Sequence, residues 1–493
     1  MCIRDSIITG LGIIIYTNQP PNEPRERDYV LVGSFFTYCI WMGMGVLALF
    51  EIFRKRAGLN MSMGAIAASA IVMVAPLLMG FQNFDDHSRR HHTGARDYAS
   101  NFLQSCDPNA IIFTYGDNDT YPLWYAQEVE NIRRDVRVVN LSLIAVDWYI
   151  AQLSRKINDS PPIKLTIPKE AYRGYKRNQL FVDPFEKGQR MPLQQAVKFA
   201  GDNHPVPISG GKTLESYLPS KKLFIPVDRN KIVQNKIISP TEANTLPGTI
   251  EMTINKQYIL KGDLAVMDII ASNIWERPIY FAVTVRTESL LGLDEYLQME
   301  GLGLKIIPIK AGKDPLVPGV LGKGRVASEK VYENVMTKFR WGNFDKHRLH
   351  VDRSYGPSIQ SHRYMMLRAI QDFIKRGNNA KAIALIDKYF EAFPHMNFPF
   401  DYNTIYFINS YISAGAGEKA KDVMRVLAKE TAQHLEFYAS LDPSDLKAGF
   451  TQDQNLADNT RGSLLSFAGQ LKDDALTKEL TTIFASTGAP VKN

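Results

Sequence analysis

Cysteine is almost absent from this chain of 493 residues: Cys2, Cys39 and Cys106 stand far apart in dissimilar surroundings, so neither a disulfide framework nor a CxxC metal site can be assembled from them. A long Lys/Arg run with interleaved aromatics is also missing, and a net charge of +7 is mild for this length, which argues against a nucleic-acid partner. The sequence has no GxSxG, no HExxH and no defensible Ser-His-Asp set, so the familiar hydrolase motifs drop out. Gly210-Gly211-Lys212-Thr213 resembles a P-loop only superficially, because Val206 holds the place of the first glycine and no strand precedes it; it reads as a turn. With 45% hydrophobic and 22% charged residues, 33 Gly and 26 Pro, the composition excludes a collagen, a coiled coil and a disordered tail, and it predicts two or three domains.

Mean hydropathy of -0.19 describes an ordinary soluble enzyme, but it averages over a strongly apolar beginning. Residues 29–50 form a run of 22 without a charge; as a helix rising about 1.5 Å per residue they cover roughly 33 Å, enough for a bilayer core of about 30 Å. Arg54, Lys55 and Arg56 follow, and a second uncharged stretch covers residues 57–84. Together they predict a membrane hairpin over residues 29–84, with Arg54 to Arg56 cytoplasmic and everything beyond Asp85 on the opposite side. The expected location is the inner (plasma) membrane, multi-pass, with a large periplasmic C-terminal part. Residues 7–16 are apolar but as a helix span only about 15 Å, too short to cross, and read as the tail of a cut helix within a truncated end and loop over residues 1–28. Pro20, Pro21 and Pro24 stand where a signal-peptide cleavage site needs small residues. MCIRDS at residues 1–6 resembles translated adaptor sequence, so the chain reads as a C-terminal fragment.

Residues 110–114 (AIIFT) predict a strand, residues 115–120 a loop, residues 122–131 a helix and residues 136–141 a second strand: a βαβ unit in which Pro122 suits the first helical turn. Further strands are expected at residues 222–227, 249–254, 279–285 and 305–309, and helices at residues 147–157, 263–274 and 293–299. Such alternation predicts a layered α/β domain over residues 85–310 with a largely parallel sheet. Residues 161–219, rich in Pro, Gly and Lys, form an excursion that the pattern does not place. After a linker at residues 311–354 the chain becomes helical over residues 355–493. There GNNAKA at residues 377–382 matches GAGEKA at residues 415–420, an offset of 38 residues against a period of about 34 for tetratricopeptide helix pairs. The expected fold is therefore a membrane helical hairpin plus an extracytoplasmic α/β domain plus a C-terminal all-α tetratricopeptide-like helical repeat, with an irregular helical bundle as the alternative for the last part.

Gly116-Asp117-Asn118-Asp119-Thr120 is the densest polar constellation, placed after an apolar strand and before a helix, where α/β sheets bind ligands and helix N-termini offer free N–H groups. Its two carboxylates would repel a bare phosphate, which favours a hydroxyl-rich or cation-assisted ligand. Asp117, Asn118, Asp119, Trp124 and Glu128 are the ligand-binding candidates, with Trp124 as a stacking surface. An EF-hand fails because Pro122 stands where that loop needs glycine, and no residue is assigned to a metal. The bland alternative is that Asp119 or Thr120 caps the helix and Asp117 closes a turn. Outside the second apolar stretch, Asp85-Asp86-His87 leads into Arg89, Arg90, His91 and His92; His87, Arg89 and Arg90 are candidates for a lipid-linked phosphate.

These residues carry a resemblance. NQPPNEPRERDYVLV (18–32), GSFF (33–36), FDDH (84–87), GDNDTYPLWYAQE (116–128) and RVVNLSL (137–143) resemble the C-terminal half of glycosyltransferase family 117, protein O-mannosyltransferase-like membrane proteins of the GT-C superfamily common in Bacteroidetes. The resemblance is detailed over residues 7–147 and looser beyond. It implies transfer of a sugar, mannose, from a polyprenyl phosphate to Ser/Thr hydroxyls of a secreted acceptor protein. The implied partners are that polyprenyl-phosphate sugar, the acceptor and the lipid bilayer; the lipid-linked donor takes the cofactor's place, and the resemblance does not decide on a divalent cation. In that fold the catalytic acid sits in a first extracytoplasmic loop that this chain does not contain, so no catalytic residue is transferred and acceptor binding is the role left. The alternative is a noncatalytic, membrane-anchored binding or assembly protein presenting a concave helical face. A transporter is disfavoured because Glu51 is the one ionisable residue near the core of either apolar stretch.

Overall fold

The computed structural model describes residues 7–18, 28–58, 60–207, 213–315 and 317–485. The adaptor-like residues 1–6, Pro20, Pro21 and Pro24, Gly210-Gly211-Lys212 and the side chains of Asp85 and Asp86 lie outside that description. The chain divides into two compact units, Met1–His92 with Arg348–Pro357 and Thr93–His347 with Ser358–Asn493.

In the first unit, helices α1 (Val32–Arg56) and α2 (Met61–His87) pack side by side. Their apolar side chains face outward: Phe36 is 68%, Leu77 66% and Phe81 86% exposed. Helices in a soluble core bury such residues, so both segments are long and apolar enough to cross a membrane without being covered by protein. The apolar run before them forms the short helical segment Ile8–Thr17, which meets α1 at small residues. A Cβ on Gly33 would lie 3.2 Å from the Thr9 side chain, the close approach that small residues allow between helices in lipid.

The second unit begins with α3 (Gly94–Gln104), β1 (Ile111–Thr114), α4 (Gly116–Glu128), β2 (Arg137–Asn140) and α5 (Asp147–Leu153). It continues through β3 (Lys222–Pro226), β4 (Thr249–Thr253), α6 (Lys261–Asn273), β5 (Ile279–Ala282), β6 (Leu297–Met299), β7 (Gly303–Ile306) and β8 (Arg325–Val326). β1 and β2 pair in parallel with Ile112 opposite Val138, as the βαβ reading expects. The main sheet has six strands in the order β8-β6-β7-β5-β1-β2. It is mixed rather than largely parallel: β5–β7 and β6–β7 are antiparallel, and between β6 and β7 the connection, residues 300–302, is too short for the crossover that parallel pairing needs. β3 and β4 leave the main sheet altogether and pair antiparallel in a small sheet with Met191–Pro192.

The helix expected at residues 293–299 is instead a single turn of 3-10 helix, Asp294–Tyr296, followed by β6. The apolar spacing there suits either period, and pairing with β7 decides it. Residues 311–354 include β8, which pairs in parallel with β6. Core packing centres on β1 and β5, where Phe113 and Phe281 stack at 5.2 Å between fully buried neighbours.

The unplaced excursion is fastened to α6. Buried Asp268 accepts backbone N–H groups of Thr166 at 2.7 Å and Ile167 at 3.0 Å, and the Tyr172 hydroxyl at 3.3 Å. The C-terminal part is mostly helical, built from α7 (Gly356–Lys375), α8 (Asn379–Ala392), α9 (Thr404–Ser413), α10 (Gly417–Ser440), α11 (Thr451–Gln470) and α12 (Asp474–Ala485). Arg368 of α7, 4% exposed, donates to the carbonyls of Leu321, Lys323 and Gly324 and so ties this helix to the sheet domain.

Candidate functional site

β1 lies between β2 and β5, both parallel to it. The chain leaves β1 toward β2 and later returns to β5 on the other side, so the carboxyl end of β1 is a topological switch point, where such sheets bind ligands. The residues gathered there are those that follow β1 and β5.

Helix α4 starts at Gly116, directly after the strand, so the loop expected through residue 120 is already helical. Gly116 has φ +75°, a left-handed conformation that permits the abrupt turn. Pro122 accordingly falls inside the helix rather than in its first turn, with no N–H to give to the carbonyl of Asn118. The N-cap position is Tyr115, whose side chain makes no cap bond. Asp119, 7% exposed, accepts the Thr284 hydroxyl and the Tyr115 backbone N–H. Burial pushes its carboxyl above the usual range, and those two hydrogen bonds only partly oppose the rise. Thr120 Oγ1 bonds the Gly116 carbonyl at 2.6 Å and Thr114 Oγ1 at 2.7 Å. Asn140, closing β2, donates from Nδ2 to the Gly116 carbonyl at 3.3 Å. Exposed Asp117 accepts the backbone N–H of Asn118 at 2.9 Å. Arg286 lies 4.9 Å from the centre of the Tyr115 ring. Exposed Asp117, Asn118 and Arg286 thus accompany, at the same end of β1, a carboxyl buried against neutral donors, a mixture of donors and acceptors suited to reading hydroxyl groups.

The other two candidates on α4 point elsewhere. Trp124 stacks on Tyr121 at 5.6 Å, and Glu128 accepts Asn158 Nδ2 at 2.6 Å. Both line a separate cavity of about 600 Å³ beside β2. The five residues therefore divide into a switch-point group (Asp117, Asn118, Asp119) and a cavity pair (Trp124, Glu128). Sequence reasoning missed Thr284 and Arg286, although the expected strand at residues 279–285 held the signal: the positions after a second parallel strand belong to the same crevice.

In the first unit, His87 Nδ1 lies 3.0 Å from the Asn83 carbonyl, and Arg89 Nη1 donates to the Ser88 carbonyl at 3.4 Å. The Arg90 backbone N–H donates to Ser88 Oγ at 3.4 Å. His92 Nδ1 meets the Tyr355 hydroxyl at 3.1 Å. Burial, then the charges of Arg89 and His350, lower the pKa of His92. Among the described residues no group of three or more His, Cys, Asp or Glu is arranged to hold a metal ion.

Fold and site together define a mixed α/β domain with polar residues gathered at a topological switch point, carried in a chain that also has two apolar helices. Residues 95–330 match the model of the family described as TMEM260-associated domain 2. The match runs from within α3 to just beyond β8 and includes every labelled strand. No curated protein matches the chain, and no solved structure does.

Proposed function

We propose that this chain is the acceptor-handling part of a membrane glycosyltransferase, GT-C in type and protein O-mannosyltransferase-like, which moves mannose from a polyprenyl phosphate to Ser/Thr hydroxyls of secreted proteins in the periplasm. The observation that carries this reading is the GDNDT block at the switch point, where Asp119 is buried against Thr284 and Asp117 and Asn118 stay exposed. That chemistry suits a hydroxyl-bearing polypeptide better than a phosphate. The uncovered apolar surface of α1 and α2 supports a place in the membrane, with Arg54 to Arg56 cytoplasmic by the charge rule. The helices from α7 on are separated by breaks at Gly377, Gly415 and Lys472, all at positive φ; if they form helix pairs of the tetratricopeptide kind, they would give the acceptor an extended concave face. His87, Arg89 and Arg90 would lie near lipid phosphates. Transfer to a hydroxyl needs a positioned base and a pocket for the donor phosphate, and we assign neither to this chain.

The test is reconstitution of the chain in nanodiscs with polyprenyl-phosphate mannose and a Ser/Thr-rich peptide from a secreted protein. Peptide binding without turnover is expected, weakened by Asp117→Asn. Turnover by this chain alone would overturn the division of labour, and absence of peptide binding would overturn the acceptor role.

A further inference from the structure

The cavity beside β2 has a construction of its own. It is bounded by α4, β2, α5 and the residues after α5, and its volume of about 600 Å³ falls within the roughly 300–1,000 Å³ of small-molecule sites. One wall is aromatic: Trp124 stacks on Tyr121, itself 55% exposed, and Trp148 is 57% exposed and edge-on to Tyr149 at 5.7 Å. Two tryptophans on one small cavity are an apolar expense that a purely structural surface has no reason to carry.

The polar part is cationic and incompletely satisfied. Arg137, the first residue of β2, is 3% exposed. Its Nη2 donates to the carbonyls of Gln152 at 3.3 Å, Leu153 at 2.9 Å and Arg155 at 2.9 Å. Its Nη1 has no hydrogen-bond partner, and no carboxylate pairs with the guanidinium among the described residues. Arg134 lines the same cavity; Nη2 bonds Asn158 Oδ1 at 2.7 Å and Nη1 bonds Asn131 Oδ1 at 3.3 Å, while Nε has no partner. A buried donor left unpaired costs about 1–3 kcal/mol, and more when charged, so an anionic oxygen brought by a ligand has two groups to satisfy. At the rim, exposed Glu128 and its partner Asn158 offer acceptors to hydroxyl groups.

We propose that this cavity binds an acidic saccharide, a sugar ring bearing a single carboxylate or phosphate. The C–H face of the ring lies against Trp148, the more exposed of the two tryptophans, its anionic group takes the free donors of Arg137 and Arg134, and its hydroxyls reach Glu128. The rim carboxylate disfavours a ligand dense in phosphate, such as a nucleoside diphosphate. The site shares α4 and β2, but no residue, with the switch-point group and does not depend on the transferase reading.

Calorimetry on the 493-residue chain in nanodiscs tests it, with four probes: a uronic-acid disaccharide, a hexose phosphate, the neutral disaccharide and inorganic phosphate. The expected result is binding of one acidic sugar at least about tenfold tighter than the neutral disaccharide and than inorganic phosphate. Which acidic sugar wins identifies the anionic group. Trp148→Ala and Arg134→Gln should each weaken that binding about tenfold or more with the melting temperature held. Arg137→Gln should abolish it, but it also strips three carbonyls of their donor, so Trp148→Ala and Arg134→Gln decide. Equal binding of acidic and neutral sugars, inorganic phosphate bound as tightly as either acidic sugar, no binding of either acidic sugar, or indifference to Trp148→Ala would each overturn the proposal. Loss of peptide binding at the switch point with this binding intact would overturn only the acceptor role.

Discussion

At the amino end of β1, Asp107 meets Lys305 Nζ at 2.5 Å and is also bonded by Lys330. Lys330 reaches on to Glu300, which accepts the Tyr280 hydroxyl at 2.6 Å and Gln298 Nε2 at 2.6 Å. At the carboxyl end of the same strand, Asp119 has hydrogen bonds only from neutral donors. Burial raises both aspartates, but around Asp107 two ammonium groups outweigh it and hold the carboxyl at about 2, whereas Asp119 stays above the usual range. Two carboxylates and two lysines form a charge-balanced network at the amino end, on the wall of a cavity of about 890 Å³, with their charges paired to one another. The carboxyl end keeps a desolvated acid without a cation, the kind of perturbation that marks ligand sites in clefts. One strand thus separates holding the sheet together from meeting a ligand.

Breaking the amino end should have the largest effect. Lys330→Met leaves Asp107 and Glu300 short of a cation in a buried place, and removing one partner of a buried pair costs about 3–5 kcal/mol. Urea unfolding of the detergent-solubilised chain measures it, and adding Glu300→Gln should restore part of the loss. The pH dependence follows from the sign. A depressed pKa contributes stability in full above the ordinary carboxyl value of about 3.9, and that contribution is lost as pH falls through the folded value of about 2. Unchanged stability in Lys330→Met would mean that the network is not buried in solution.

Asp119 should show the opposite sign at a smaller size. Asp119→Ala strands the Thr284 hydroxyl and the Tyr115 N–H and should cost about 1–3 kcal/mol; Asp119→Asn keeps an acceptor and should cost less. Because the carboxyl is raised in the fold, its favourable contribution is present below the ordinary value and is lost as pH rises through the folded one. The melting temperature of the unmodified chain should therefore fall relative to Asp119→Asn as pH rises from about 4 to 7. A difference constant with pH would show that Asp119 is not desolvated and would remove the contrast between the two ends.

The contrast was only half legible in the sequence. The βαβ unit was readable because AIIFT and RVVN are short apolar or β-branched runs flanking a helical stretch, and the parallel register bears that out. The helix start was not: a glycine followed by Asp-Asn-Asp carries the residue types of a turn, and Pro122 suggested a beginning rather than an interior. That error also hid the division of the five candidates. At about 100° per residue, Trp124 and Glu128 lie about 140° and 180° around the helix from Asp119, but faces can be assigned only once the block is known to be helical. The Asp107 network was invisible for another reason: Glu300, Lys305 and Lys330 are ordinary charges in sequence and become a network only when β6, β7 and the short helix Ser328–Glu333 after β8 bring them together.

Cys106, beside Asp107, offers a smaller test of burial at the amino end. It is 4% exposed, and burial, the largest influence on it, pushes its thiol up to about 12. At pH 8 its thiolate fraction is then on the order of 1 in 10,000, so maleimide should modify Cys106 only in denaturant. The periplasmic placement proposed for the α/β domain needs a different residue for its test: Lys156→Cys, at an exposed position, should react with impermeant maleimide from outside spheroplasts. Protection that lasts until the membrane is broken would reverse the orientation.

The smallest expected change in stability is also the one that sharpens the carboxyl end most. Asp117 is exposed and accepts only the N–H of the next residue, so Asp117→Asn should shift stability by no more than about 0.5 kcal/mol. Two residues further on, Asp119 is buried, so the pair separates a supporting carboxyl from a contacting one on a single turn of helix. If the crevice reads acceptor hydroxyls, Asp117→Asn lowers peptide affinity in nanodiscs while leaving the melting temperature in place, and Asp119→Ala lowers both. Equal peptide affinity in Asp117→Asn and the unmodified chain would make the exposed carboxylate a solvated helix-end charge and leave Asp119, with Thr284, as a packing device of the switch point.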